Sequence, residues 1–141
     1  MRQDLEETKR RETIHRMTRR RTGWDYCAPG RYMITLSLAD RSRPWLGELA
    51  SKLASTINLT ELGRLVVELW KEIAVNWPGV EIEEFVVMPD HLHGILYITC
   101  RQRHPLGQIV GSFKARSTAA ARRLAQEQCG TGQAAIAPAR R

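Results

Sequence analysis

Two histidines one residue apart, His91 and His93, lie in Phe85-Val86-Val87-Met88-Pro89-Asp90-His91-Leu92-His93-Gly94-Ile95-Leu96-Tyr97-Ile98, an apolar run broken once by Pro89-Asp90. The pattern reads as strand, tight turn, strand. Successive strand side chains alternate between faces, so both imidazoles share one face about 7 Å apart along the strand, with Leu92 on the other. Two neighbouring imidazoles suit a metal ion, but a strand beside a turn can also carry two histidines as half-exposed polar positions. The surrounding elements decide between these readings.

The lead-in Gly23-Trp24-Asp25-Tyr26 and Ala28-Pro29-Gly30 precedes Arg31-Tyr32-Met33-Ile34-Thr35-Leu36-Ser37-Leu38, a first strand that puts Tyr32, Ile34, Leu36 and Leu38 on one face. Asp40 to Trp45 reads as a loop. Asn58 is the expected cap of a helix running to about Asn76, with Glu61 at its positive end and a stripe of Leu62, Leu65, Val66, Leu69 and Ile73 widened by Trp70. Pro78-Gly79 ends that helix, and Val80 to Met88 begins the strand leading to the histidines. Pro105 opens a second, long helix whose apolar face holds Leu106, Ile109, Val110, Phe113, Ala120 and Leu124. Lys114, Thr118 and Arg122 fall on another face at spacings of four, and Gly107 and Gly111 suggest close backbone approach to a neighbour or to DNA. Residues 128–141, poor in bulky apolar side chains, are expected to form a disordered tail.

Strand, helix, strand, strand, helix is most of a split βαβ, the ferredoxin-like α+β arrangement, with helices on one sheet face. The fourth strand that completes such a unit has no candidate in residues 125–141, which leaves an open sheet edge.

The 141-residue length is that of one domain, expected to occupy residues 23–127. Its apolar runs fall far short of the roughly 20 residues that span a bilayer, and the amino terminus lacks the layout of a secretion signal. No membrane partner and a cytoplasmic location are expected. Cys27, Cys100 and Cys129 show neither disulfide-framework nor zinc-ribbon spacing and read as free thiols.

The formal charge of +7 is concentrated at the ends: residues 1–31 hold nine Lys/Arg against five Asp/Glu and residues 101–141 eight against one, whereas residues 32–100 hold five against nine. Clustered cations neutralise phosphates and release counterions, so nucleic acid is the natural partner. Residues 1–22 form a polar arm in which Arg19, Arg20 and Arg21 are candidates to grip phosphate, joined by Lys114, Arg116 and Arg122 on the second helix.

Met88-Pro89-Asp90-His91-Leu92-His93-Gly94-Ile95 resembles the signature of the HUH single-tyrosine transposases, with Leu92 as the bulky residue between the histidines. Gly30-Arg31-Tyr32-Met33-Ile34-Thr35, Leu59-Thr60-Glu61-Leu62-Gly63 and Leu106-Gly107-Gln108-Ile109-Val110-Gly111-Ser112-Phe113-Lys114 follow the same order and resemble the REP-associated branch, over about residues 19–124. The resemblance implies that His91 and His93 hold Mg²⁺ or Mn²⁺, which polarises the scissile phosphate of single-stranded or hairpin DNA while a tyrosine attacks it and becomes joined to a 5′ phosphate.

The chain departs from that pattern at the nucleophile. The family's tyrosine lies on a further helix after a Trp-Gln-Arg-Asn-Tyr-like block, which this sequence lacks. Its tyrosines are Tyr26, Tyr32 and Tyr97, and Tyr97 stands about 13 Å along an extended strand from His93, too far for attack at a shared phosphate. Tyr32 is expected in the core and Tyr26 as an anchor of the lead-in. No catalytic tyrosine is therefore assigned. The reading is a transposase-like protein truncated before its nucleophile or completed by another polypeptide; the alternative is a non-catalytic DNA-binding remnant that recognises hairpin DNA, and a metal-binding protein unrelated to DNA is a third possibility.

Overall fold

The computed structural model describes residues 20–53 and 55–130. Its elements are β1 (Gly30–Ser37), β2 (Gly47–Leu49), β3 (Ile57–Leu59), α1 (Glu61–Asn76), β4 (Val80–Val87), β5 (His91–Ile98) and α2 (Leu106–Gly130). The main sheet is antiparallel in the order β1-β5-β4, and β2 and β3 form a separate two-stranded ribbon. This three-stranded sheet with two helices is an α+β fold compatible with a ferredoxin-like arrangement.

β5 is the central strand and its burial alternates along its whole length. Leu92, Gly94, Leu96 and Ile98 are buried against the helices, while His91, His93, Ile95 and Tyr97 occupy the other face. Strand alternation has therefore separated a helix-covered apolar face from one of mixed polarity that no helix among the described residues covers.

Trp70 of α1 is fully buried in the core between the helices and the sheet. Its ring meets Phe113 of α2 edge-on at 5.2 Å and lies over Gly94 of β5, where a Cβ would come 2.5 Å from Trp70 Cζ2. Trp70 Nε1 has no hydrogen-bond partner among the described residues, so packing alone sets the indole's place. Leu62, Val66 and Ile73 continue this buried stripe, with Leu65 and Leu69 partly buried beside it.

The expected cap of α1 moves by two residues. Thr60, not Asn58, accepts from the Gly63 amide at 3.0 Å, because Asn58 is held in β3 opposite Glu48. The Thr60 hydroxyl also donates to the Trp45 carbonyl at 2.7 Å, and the Thr60 amide donates to the Leu46 carbonyl at 3.0 Å. A Cβ on Gly63 would fall 1.9 Å from the Leu46 carbonyl oxygen, so the segment between β1 and α1 is pressed directly on the start of that helix. The β2–β3 ribbon within this segment has no counterpart among the strands expected from sequence.

Three expectations for α2 are adjusted. Thr118 is buried and does not share the exposed face of Lys114 and Arg122. Gly107 does meet a close neighbour, the Arg20 guanidinium, 2.9 Å from where its Cβ would be, whereas nothing lies within 4 Å of Gly111. The helix continues through Gln128 to Gly130, so the boundary of the expected tail shifts, and residues 131–141 lie outside the described residues, as do residues 1–19 of the arm.

Cys27, Cys100 and Cys129 are free thiols. No helix among the described residues is long and apolar enough to cross a membrane.

Candidate metal centre

Each histidine is placed by a different neighbour. The β1–β5 register sets Thr35 directly opposite His93, and the Thr35 hydroxyl lies 2.9 Å from His93 Nδ1. His91, the first residue of β5, has its Nδ1 2.6 Å from Asp90 Oδ1. The rings meet edge-on with centroids 4.6 Å apart, closer than the 7 Å rise separating their backbone positions. Both Nδ1 atoms are engaged, and neither Nε2 has a partner among the described residues. Second-atom hydrogen bonding of this kind orients imidazoles that bind metals.

Asp90 joins this centre to the segment after β1. Its Oδ2 accepts from Arg41 Nε at 2.6 Å, and its backbone carbonyl accepts from the Leu38 amide at 2.9 Å. Hydrogen bonds from His91 first, and then from Arg41, hold the Asp90 carboxyl below the usual carboxylate range. Asp90, Arg41 and Thr35 were not among the site residues expected from sequence. Adjacency of Asp90 to His91 was the one available signal; Thr35 and Arg41 are 58 and 49 residues from their partners.

Past His93 the uncovered face becomes apolar. Met33, Val86 and Ile95, together with His93 and Glu84, line an open depression of about 290 Å³. Farther along, the Arg31 guanidinium stacks on Tyr97 at 4.3 Å, and Arg31 Nε donates to Glu83 at 2.8 Å. Tyr32 is buried in the core as expected, with its hydroxyl donating to the Ala28 carbonyl at 2.8 Å, and the Tyr26 hydroxyl accepts from the Arg21 amide at 2.8 Å, so Tyr26 anchors the lead-in as expected.

The expected DNA-binding residues do not converge on the histidines. Lys114 and Arg122 are exposed on α2, in the helical layer on the opposite side of the sheet, and have no ion-pair partner among the described residues. Arg116 is paired with Glu72 of α1 and ties the helices together. Arg21 lies over the Trp24 ring at 4.9 Å, and Arg20 lies against Gly107 in the first turn of α2. Arg19 lies outside the described residues. Among the described residues, no three His, Cys, Asp or Glu side chains form a group that could hold a metal ion.

The chain is similar to an uncharacterized protein of Haemophilus influenzae, with 34% identity over 84 residues that make up 60% of this chain and 44% of that protein. It thus spans less than half the length of that relative. No family model and no solved structure matches it.

Proposed function

We propose that this chain is the metal-binding part of a DNA strand-cleaving and rejoining protein of the HUH single-tyrosine transposase type, acting on single-stranded or hairpin DNA. The observation that carries the reading is the His91–His93 pair at the start of the central strand, on the face away from the helices, with each Nδ1 engaged and each Nε2 without a partner among the described residues. The strand order supports it as well: β1-β5-β4 is the order of the first, third and second strands of a ferredoxin-like unit, and the free edge of β1 is where its fourth strand would pair.

His91 and His93 would hold a divalent cation through their Nε2 atoms; two imidazoles suit Mn²⁺ better than Mg²⁺, which prefers oxygen ligands. Such an ion, when bound, supplies Lewis-acid polarisation of a phosphate and a template for its alignment. The chain's own residues orient the imidazoles through Asp90 and Thr35 and offer an apolar floor of Met33, Val86 and Ile95 for nucleobases. Lys114 and Arg122 bind phosphate on the helical side, so the DNA contacts both layers of the fold.

The nucleophile is not one of the three tyrosines. Tyr32 is buried, Tyr26 is tied to the Arg21 amide, and Tyr97 lies beneath Arg31. This favours DNA binding without strand cleavage by these 141 residues, with the phosphotyrosine step dependent on a tyrosine supplied from elsewhere.

Incubating the protein with labelled single-stranded hairpin DNA and Mn²⁺ tests the proposal. Salt-dependent retention without a covalent adduct is expected. Lys114→Ala and Arg122→Ala weaken retention and each reduce the salt slope by about 1 while leaving Mn²⁺ affinity unchanged, and His93→Ala does the reverse. A covalent adduct on Tyr97, or loss of DNA and metal together in properly folded variants, refutes this division of roles. Absence of DNA binding at low salt, with Mn²⁺ binding intact, favours a metal-binding protein unrelated to DNA.

A further inference from the structure

We infer that Asp90, braced by Arg41, is a positioning residue that holds His91 as the Nδ1–H tautomer with Nε2 as its free donor atom, and that Asp90 is not itself a metal ligand. The inference rests on the reading of His91 and His93 as a divalent-cation pair.

Both carboxylate oxygens of Asp90 are committed, and to different partners. Oδ1 lies 2.6 Å from His91 Nδ1, and Oδ2 lies 2.6 Å from Arg41 Nε. An ionised carboxylate only accepts hydrogen bonds, so the Asp90 contact requires His91 Nδ1 to carry the proton and, in the neutral ring, leaves the lone pair on Nε2. The contact of His93 is chemically different. A threonine hydroxyl can donate or accept, so Thr35 is compatible with either His93 tautomer.

The backbone around Asp90 restricts it further. The Asp90 carbonyl accepts from Leu38, the Pro89 carbonyl accepts from Leu46 at 3.0 Å, and the Met88 amide donates to the His91 carbonyl at 2.7 Å. The turn is thus tied to the segment after β1 on one side and closed across its own mouth on the other. Moving the carboxylate onto a cation would break the Arg41 pair or release His91. The arrangement is that of a carboxylate–histidine–metal relay, in which the carboxylate sets the ring and the ring binds the metal.

The test uses the full chain in two measurements: ring ¹⁵N spectra of His91 without metal, and Mn²⁺ affinity by calorimetry. Wild-type His91 is expected as a single Nδ1–H tautomer. Asp90→Ala should mix the tautomers and lower Mn²⁺ affinity about 10- to 100-fold, the usual cost of losing such a partner. Asp90→Asn keeps a neutral acceptor for Nδ1–H and should restore most of the affinity, which loss of a carboxylate ligand would not allow. Arg41→Gln, at an exposed side chain that leaves the fold intact, should weaken affinity by a smaller factor. An unchanged His91 tautomer in Asp90→Ala overturns the inference, and so does Asp90→Asn binding Mn²⁺ as poorly as Asp90→Ala. Wild type that binds no Mn²⁺ while its His91 tautomer still follows Asp90 refutes the cation reading and leaves the positioning role. Mn²⁺ binding that needs His93 but is indifferent to Asp90 and Arg41 does the opposite.

Discussion

Gly94→Ala adds one methyl group at the most crowded point between the sheet and α1. The new Cβ would lie 2.5 Å from Trp70 Cζ2, 3.0 Å from Trp70 Cε2 and 3.2 Å from Phe85 Cβ. Ordinary carbon–carbon contact is about 3.5–4.0 Å, so roughly 1 Å of separation must be created. The indole has no room to retreat, because Trp70 is fully buried with Phe113 edge-on at 5.2 Å and Phe85 at 6.5 Å. Overpacking of this kind costs about 1–3 kcal/mol, against about 0.5–1 kcal/mol recovered by replacing glycine inside a strand. Net destabilisation on the order of 1–2 kcal/mol follows, a fall in Tm of roughly 4 °C per kcal/mol for a domain of this size. Because Gly94 follows His93, displacement of β5 also moves that imidazole, and Mn²⁺ affinity should fall with stability. Urea and thermal unfolding measure the first effect and calorimetry the second. The cause is isolated by repeating Gly94→Ala in a Trp70→Phe background, where the smaller ring relieves the clash and a favourable coupling of about 1 kcal/mol or more is expected. Gly94→Ala as stable as wild type, or additive with Trp70→Phe, refutes the reasoning.

Gly111, expected with Gly107 to mark close approach, responds oppositely to Gly94: nothing lies within 4 Å of its Cβ position, so Gly111→Ala should stabilise α2 by about 0.5–1 kcal/mol in urea unfolding. Thr60→Ala removes both the α1 cap and the bond to the Trp45 carbonyl and should cost about 1–2 kcal/mol, whereas Asn58→Ala should cost little by comparison. The hydrogen bond from Arg101, and then that from the Cys27 amide, lower the pKa of Asp25 on folding, so the stabilisation they provide is present above the unfolded value near pH 4 and is lost as pH falls through the lower folded value. The urea midpoints of wild type and Asp25→Asn should therefore differ at about pH 6 and converge as pH falls below the folded-state value of Asp25.

Local pattern was enough to read much of the fold. Periods of two and of about 3.6 in the apolar residues mark three main strands and two helices, and alternation alone puts His91 and His93 on the face opposite Leu92. Long-range pairing moved the cap of α1 from the expected Asn58 to Thr60, because the pairing of β3 with β2 commits Asn58 to a strand. The β2–β3 ribbon was hidden because strands of three residues carry too little alternation to stand out.

The sequence by itself determined the identity, spacing and common face of the two histidines and the basic character of the ends, since these depend only on residue type and backbone periodicity. Tertiary structure decided what surrounds the pair. Thr35 reaches His93 through strand register, Arg41 reaches Asp90 because the segment after β1 folds back on the turn, and Lys114 and Arg122 fall on the opposite side of the sheet because α2 buries its apolar stripe there. None of these placements is local in the chain: each follows from which apolar faces had to be covered, and periodicity specifies a face without naming the element that covers it.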